Sequence, residues 1–214
     1  MGSVIVITSG KGGTGKTSLT GGVGASLALL GKQVLCLDGD VGLRNLDITL
    51  GMTDAALMDF SDVMAGRCDL SRAAVPHPTV SGLHLLTAPL TLPGDFPGEA
   101  GFQALLQQAR EAYDYVLIDS PAGLGPGFRL AVCGADRAIV VAVSDPSSLR
   151  DAQRVVTQLS QLETIHLVVN RVRPRLLRRQ NTTIDDAMDT AGLPLLGLVP
   201  EDPKVVLAAT EGRP

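Results

Sequence analysis

The chain has 214 residues, of which 45% are hydrophobic and 3% aromatic, with no tryptophan. This length suits a single α/β domain, residues 1–214, whose core must be built from valine, leucine, isoleucine and alanine. The formal net charge of −4 at pH 7 argues against a protein that coats nucleic acid through its overall charge, although a local basic patch remains compatible with it.

Apolar runs alternate with helical patterns along the chain. Seven apolar runs are predicted strands: 4–8, 33–38, 83–87, 115–119, 138–143, 165–170 and 195–199. Seven segments are predicted helices: 17–30, 56–65, 101–112, 128–134, 147–162, 183–190 and 203–210. Most strands are continuously apolar, as parallel strands covered on both faces are. The alternation predicts an α/β fold with a doubly wound, mostly parallel sheet flanked by helices, and such sheets bind ligands at the carboxyl ends of their strands.

The first predicted strand is followed by a glycine-rich segment, residues 10–17, that fits the P-loop pattern G-x-x-x-x-G-K-S/T. Its glycines let backbone N–H groups converge on one anion site, and the following helix directs its positive dipole end there. Lys16 supplies charge for the outer phosphates of a bound nucleotide, and the Thr17 hydroxyl supplies a ligand for Mg²⁺. The predicted phosphate-binding residues are Gly10, Lys11, Gly12, Gly13, Thr14, Gly15, Lys16, Thr17 and Ser18.

Carboxylates follow the next predicted strands at the same edge of the sheet. Asp38 and Asp40 are two residues apart at the end of the second strand, so their side chains point the same way. Asp40 is a candidate to orient an attacking water, and Asp38 to act through Mg²⁺-bound water. A polar turn is the alternative for this Asp-Gly-Asp sequence. Asp119 ends an apolar strand, the Walker B arrangement that helps to hold Mg²⁺, and residues 120–125 are a candidate switch that senses the γ-phosphate.

Polar residues after the last two predicted strands are candidates for a base pocket. The amide of Asn170 matches the donor and acceptor of an adenine edge, and Arg171 is placed to stack on the base. Pro200 and Asp202 offer a second wall of this pocket. Each of the pocket residues, taken alone, is also typical of an ordinary strand end. A nearby cluster consists of Arg171, Arg173, Arg175, Arg178 and Arg179. It is either a solvated loop over the nucleotide or a surface for anionic lipid, DNA or an acidic partner.

Residues 11–17 (KGGTGKT) resemble the deviant Walker A motif of the MinD/ParA class of P-loop ATPases. Residues 42–47 (GLRNLD), 119–123 (DSPAG), 148–152 (SLRDA) and 200–203 (PEDP) resemble the septum-site-determining branch of that class, and only the proline-rich part, 76–97, is unlike it. This proline-rich part is expected to be a surface excursion around one strand.

The resemblance implies an ATP-dependent homodimer in which two subunits enclose two ATP molecules. Lys11 would reach the partner's phosphates, and Lys16, Asp38 and Asp40 would complete the catalytic set. Thr17, Asp38 and Asp119 would serve Mg²⁺. Slow hydrolysis would be accelerated by an activator protein, and Asp151 would lie where the dimer meets its activator and its division inhibitor.

Two departures from the class bear on these expectations. Members of the class continue beyond residues 211–214 into a membrane-targeting helix, so the sequence is expected to be the ATPase domain without it. The protein is expected in the cytoplasm. It would reach the inner face of the cell membrane only if the native protein has such a membrane-targeting helix. Thr14 stands where the class has a small apolar residue.

The favoured function is ATP hydrolysis in a dimerisation switch that places the division septum. The alternatives are a related regulator of flagellar placement, a DNA-partitioning ATPase, and a nucleotide-gated scaffold that does not hydrolyse ATP. Nucleic-acid binding is not expected, because no aromatic residues interleave with the arginine cluster. Cys133 alone provides no convincing ligand set for an iron–sulfur cluster.

Overall fold

Eight strands form one sheet in the order β3-β4-β2-β5-β1-β6-β7-β8 in the computed structural model, which describes residues 1–175, 177 and 183–213. The strands are β1 (Ser3–Thr8), β2 (Val34–Asp38), β3 (Val75–Pro76), β4 (Leu83–Leu86), β5 (Tyr115–Asp119), β6 (Arg137–Val143), β7 (Thr164–Val172) and β8 (Leu195–Pro200). The described strand pairs are parallel except β3 with β4, which is antiparallel. The predicted fold class is therefore confirmed.

Helices lie on both faces of the sheet. They are α1 (Lys16–Leu29), α2 (Leu46–Thr49), α3 (Phe60–Met64), α4 (Leu70–Ala73), α5 (Gly98–Ala112), α6 (Pro126–Val132), α7 (Pro146–Val156), α8 (Ile184–Ala191) and α9 (Pro203–Thr210). Within the described ranges, no helix combines the length and apolarity that crossing a bilayer requires.

The core is divided by the sheet into two buried clusters. Along β1, Val4 and Val6 enter the larger cluster, whereas Ile7 enters the smaller one, against Ala25 and Ala28 of α1. The strand is apolar on both faces for this reason, because helices cover each face. Such packing holds the carboxyl end of β1, and the loop that follows it, against the start of α1.

All seven predicted strands are present, with ends that differ from the prediction by at most two residues. The sequence did not predict β3, α2 and α4, each of which has four residues or fewer. The predicted helix 147–162 is also too long, because α7 ends at Val156.

Two other predictions need correction. The predicted helix 56–65 begins only at Phe60, because Asp59 caps it: the Asp59 carboxylate accepts the Ser61 N–H at 2.8 Å, and the Asp62 carboxylate accepts the Asp59 N–H at 3.0 Å. The proline-rich part contains the one predicted strand, β4, but it also contains the end of β3, which pairs with β4, and His77 beside β3 is buried.

Candidate active site

The glycine-rich segment forms a loop between β1 and α1, and its shape depends on residues without a Cβ. Gly13 and Gly15 have φ angles of 76° and 92°, in the left-handed region that favours glycine. A Cβ on Gly15 would lie 2.2 Å from Nδ2 of Asn170, so a larger residue would also collide with β7. A Cβ on Gly12 or Gly13 would meet nothing within 4 Å, which leaves one side of the loop open to a ligand.

Lys16 lies at the base of this loop and is 8% exposed. Its Nζ donates a hydrogen bond to Ser9 Oγ at 3.1 Å, and Ser9 Oγ in turn donates to the Lys11 carbonyl at 2.7 Å. Burial lowers the pKa of Lys16, against the opposing attraction of Asp119 and Asp40. A desolvated ammonium gains most from an anion brought directly to it, so this environment fits a phosphate group.

Asp38 and Asp119 are side by side, because β2 and β5 pair in parallel with these two residues in register. The Asp38 carboxylate accepts the Asp40 N–H at 2.9 Å and the Leu46 N–H at 3.1 Å, while Thr20 Oγ1 donates to Asp119 at 3.4 Å. Burial raises the pKa of Asp38 to about 6 and that of Asp119 to about 7. The charges of Asp40 and Asp47 add to the rise for Asp38, and the charge of Asp38 adds to the rise for Asp119.

The donor set at this place suits Mg²⁺. The Thr17 side chain lies near enough to Asp119 to lower the pKa of that carboxyl, so a hydroxyl and two crowded carboxylates converge beside the loop. The described residues contain no group of three or more His, Cys, Asp or Glu side chains arranged around a metal position. Mg²⁺ commonly uses one or two carboxylates and completes its shell with phosphate oxygens and water, so the residues present fit that ion together with a nucleotide.

Asp40 follows β2 and faces a cleft of 210 Å³ between two loops. The cleft is lined by Gly39, Asp40, Val41, Pro121, Ala122, Gly125, Gly127 and Phe128. Burial raises the pKa of Asp40, and the nearby charge of Lys16 opposes this effect. The structure therefore brings together Asp40 and the predicted switch, residues 120–125.

Lys11 makes contacts different from those of Lys16. Its Nζ lies 3.2 Å from both carboxylate oxygens of Asp145 and donates to Ser147 Oγ at 2.9 Å. Asp145 also caps α7, accepting the Ser148 N–H at 3.0 Å. Partial burial opposes ionisation of Asp145, but hydrogen bonds from Ser147, Ser148 and Lys11 lower its pKa overall.

Sequence reasoning missed Asp145. The available signal was an aspartate directly before Pro146 at a predicted helix start, which indicates a cap. A cap at that position says nothing about a loop 134 residues earlier in the chain.

The predicted base-pocket residues lie at the adjoining ends of β7 and β8. Asn170 is 7% exposed, and its Nδ2 donates to the Thr14 carbonyl at 2.8 Å. Arg171, Pro200 and Asp202 are exposed, and Asp202 caps α9 by accepting the Lys204 N–H at 2.9 Å.

The arginine cluster is described only in part. Arg173 forms an ion pair with Glu201. Arg178 and Arg179 lie outside the described residues.

Comparison with known proteins identifies the family. The family model of the CobQ/CobB/MinD/ParA nucleotide binding domain matches residues 5–214. The chain is also 40% identical, over 217 residues, to the septum site-determining protein MinD of Synechocystis sp., a match that covers 100% of this chain and 82% of that protein. The chain belongs to the MinD family.

Solved MinD structures have the same fold. MinD in the MinC:MinD cell division protein complex of Aquifex aeolicus superposes with a TM-score of 0.91 and 38% identity, over 99% of this chain and 86% of that one. MinD of Pyrococcus horikoshii, complexed with Mg-ADP, gives a TM-score of 0.85 and 30% identity, over 100% and 87% of the two chains.

Membership of the MinD family confirms the general function predicted from the sequence. The protein is a MinD-like ATPase of the kind that determines the site of the division septum. The comparisons do not favour flagellar placement, DNA partitioning or a scaffold without hydrolysis.

Proposed function

We propose that two copies of this chain close around two ATP molecules, and that hydrolysis of ATP separates them again. The observation that carries the proposal is the different placement of the two loop lysines. Lys16 is buried inside its own loop, whereas the Lys11 ammonium is partly exposed and bound to Asp145 and Ser147 at the start of α7. The Lys11 side chain is therefore available to contact phosphates that belong to a second copy.

The surroundings of the other residues support the roles that we propose for them. Lys16 and the open backbone of the loop bind the phosphates of ATP in their own subunit. Thr17, Asp38 and Asp119 would hold Mg²⁺, which when bound neutralises phosphate charge. Asp40 orients the water that attacks the terminal phosphate, from its place on the cleft beside the switch loop.

Dimerisation depends on the triphosphate because of Lys11. A lysine brought into an interface loses hydration, and a phosphate across the interface supplies the compensating negative charge. Lys11 also neutralises charge that develops during phosphoryl transfer. Loss of the terminal phosphate removes that attraction, so the ADP form separates.

We propose that a division inhibitor and an activator contact the dimer at α7. MinD of Aquifex aeolicus was solved in a MinC:MinD cell division protein complex, and this supports a protein partner of the same kind for this chain. The loop and α7 are in direct contact, because a Cβ on Gly10 would lie only 2.4 Å from the Asp151 carbonyl oxygen. A change at the nucleotide therefore reaches α7 over a short distance.

We propose that the protein acts in the cytoplasm. Attachment to the membrane surface would use a segment C-terminal to α9, because α9 itself contains one charged residue, Lys204, and so lacks the basic face of an interfacial helix.

Sedimentation velocity with ATP and with ADP, together with phosphate release, tests the proposal. Lys16→Ala should abolish ATP binding, whereas Lys11→Ala should retain ATP binding but lose both the ATP-dependent dimer and hydrolysis. Lys32→Ala, which changes an exposed lysine away from the site, is the matched control. An unchanged ATP-dependent dimer in Lys11→Ala would rule out the role of this lysine across the interface.

A further inference from the structure

The Asn170 side chain joins two parts of the site that are 156 residues apart in sequence. Its Nδ2 donates to the Thr14 carbonyl at 2.8 Å, and its Oδ1 accepts the Arg171 N–H at 2.9 Å. A carboxamide has two N–H donors and two lone pairs on oxygen, so one of each remains for another partner. Contact with a base therefore does not require Asn170 to release the loop.

The contact with Thr14 fixes the direction of a peptide unit in the loop. In a trans peptide the C=O of one residue and the N–H of the next point in opposite directions. When Asn170 holds the Thr14 carbonyl toward β7, the N–H of Gly15 must point away from β7. Gly15 directly precedes Lys16 at the start of α1, where backbone N–H groups bind anions.

Two backbone features keep Asn170 in this position. The register between β7 and β8 is interrupted between Val169 and Val172, and Arg171 has a φ of 52°, which residues with a Cβ rarely adopt. The absence of a Cβ on Gly15 leaves the space that Nδ2 occupies, since a Cβ there would lie 2.2 Å from it. The bulge, the amide and the glycine therefore form one unit.

We propose that Asn170 is a positioning residue for the phosphate site: it fixes the Thr14–Gly15 peptide so that the Gly15 N–H faces the phosphates. The inference rests on the proposed nucleotide site and adds a physical link between its base end and its phosphate end. If Asn170 served the base alone, its removal would leave a ligand without a base unaffected.

The test uses the full chain with Asn170→Ala and with Asn170→Leu, which keeps the branched arrangement of four side-chain heavy atoms but has no polar atom. The first measurement is hydrogen exchange of the peptide spanning residues 9–19 in the nucleotide-free protein. The second is calorimetric binding of Mg-tripolyphosphate, which has no base, beside that of Mg-ATP. Asn45→Ala removes an exposed amide that makes no capping hydrogen bond, and it serves as the control.

Loss of the hydrogen bond should speed exchange of the loop amides about tenfold and weaken Mg-tripolyphosphate binding about tenfold, with Asn45→Ala like wild type. Unchanged loop exchange with unchanged tripolyphosphate binding, while Mg-ATP binding falls, would overturn the proposal and leave Asn170 as a base contact alone. A wild-type protein that failed to hydrolyse ATP would refute the proposed function instead, and the exchange comparison would still decide the role of Asn170.

Discussion

Replacing Asp119 with asparagine should stabilise the nucleotide-free protein at neutral pH. Asp119 is 3% exposed and lies beside Asp38 at the ends of two paired strands. Asparagine has the same shape and can still accept the hydrogen bond from Thr20. The substitution removes a charge that the fold has taken out of water, without creating a cavity.

The size of the effect follows from the pKa of Asp119, which burial raises from 3.8 to about 7. At 1.36 kcal/mol per pKa unit, this shift corresponds to roughly 4 kcal/mol of unfolding free energy. The folded state holds the proton more tightly than the unfolded state does. The contribution to stability is therefore present below about pH 4 and is lost as pH rises through 7, and Asp38 adds a smaller loss through its pKa of about 6.

Urea unfolding between pH 5 and pH 8, in EDTA and without nucleotide, measures the effect. Asp119→Asn should unfold at higher urea than wild type at pH 8, and the difference should shrink toward pH 5. Asp189→Asn changes an exposed aspartate on α8 and should follow the wild-type curve. A variant at position 119 that is less stable than wild type at pH 8, or equally dependent on pH, would refute the reasoning.

Three further substitutions have defined outcomes. Asp145→Asn keeps the cap of α7 but removes the charge that holds Lys11, so the ATP-dependent dimer should tighten about two- to fivefold by sedimentation, and a weaker dimer would contradict this. Thr14 is 1% exposed and its hydroxyl has no hydrogen-bond partner within the described ranges, so Thr14→Val should raise the unfolding free energy by about 1 kcal/mol in urea titrations; a loss would show that the hydroxyl is satisfied. Asp40→Ala should accumulate an ATP-bound dimer, and rapid phosphate release by this variant would exclude Asp40 from positioning water.

The elements that the sequence predicted well are those with a strong hydrophobic pattern. The sequence predicts residues 115–119 as a strand with the observed bounds, because a continuous apolar run of 5 residues is too short for a typical helix and fits a strand buried on both faces. The two residues of β3 include a proline and cannot show a period, so no pattern could reveal them. The true start of α3 was readable, since Asp59 and Asp62 have the spacing of a capping box.

In the site, too, the features that could be predicted are those whose residues are close together in sequence. The loop that contains Lys16 is a continuous motif, and its residues are readable one by one. The contact of Lys11 with Asp145 and that of Asn170 with Thr14 join segments more than 130 residues apart in sequence. They arise from the order of β1, β6 and β7 in the sheet, which a single sequence does not specify at side-chain resolution.

The buried charges of the site explain why one ligand satisfies all of them. Lys16 is a desolvated cation, and Asp38 and Asp119 are desolvated carboxylates beside it, so each would be more stable with an opposite charge brought to it. A phosphate alone would relieve Lys16 but repel the carboxylates, and Mg²⁺ alone would do the reverse. A magnesium–triphosphate complex brings both a positive and a negative charge to the site. Binding of the nucleotide and of the metal should therefore be strongly cooperative, and Asp119→Asn should reduce that cooperativity while it raises the affinity for metal-free nucleotide, because it removes one of the repelling charges.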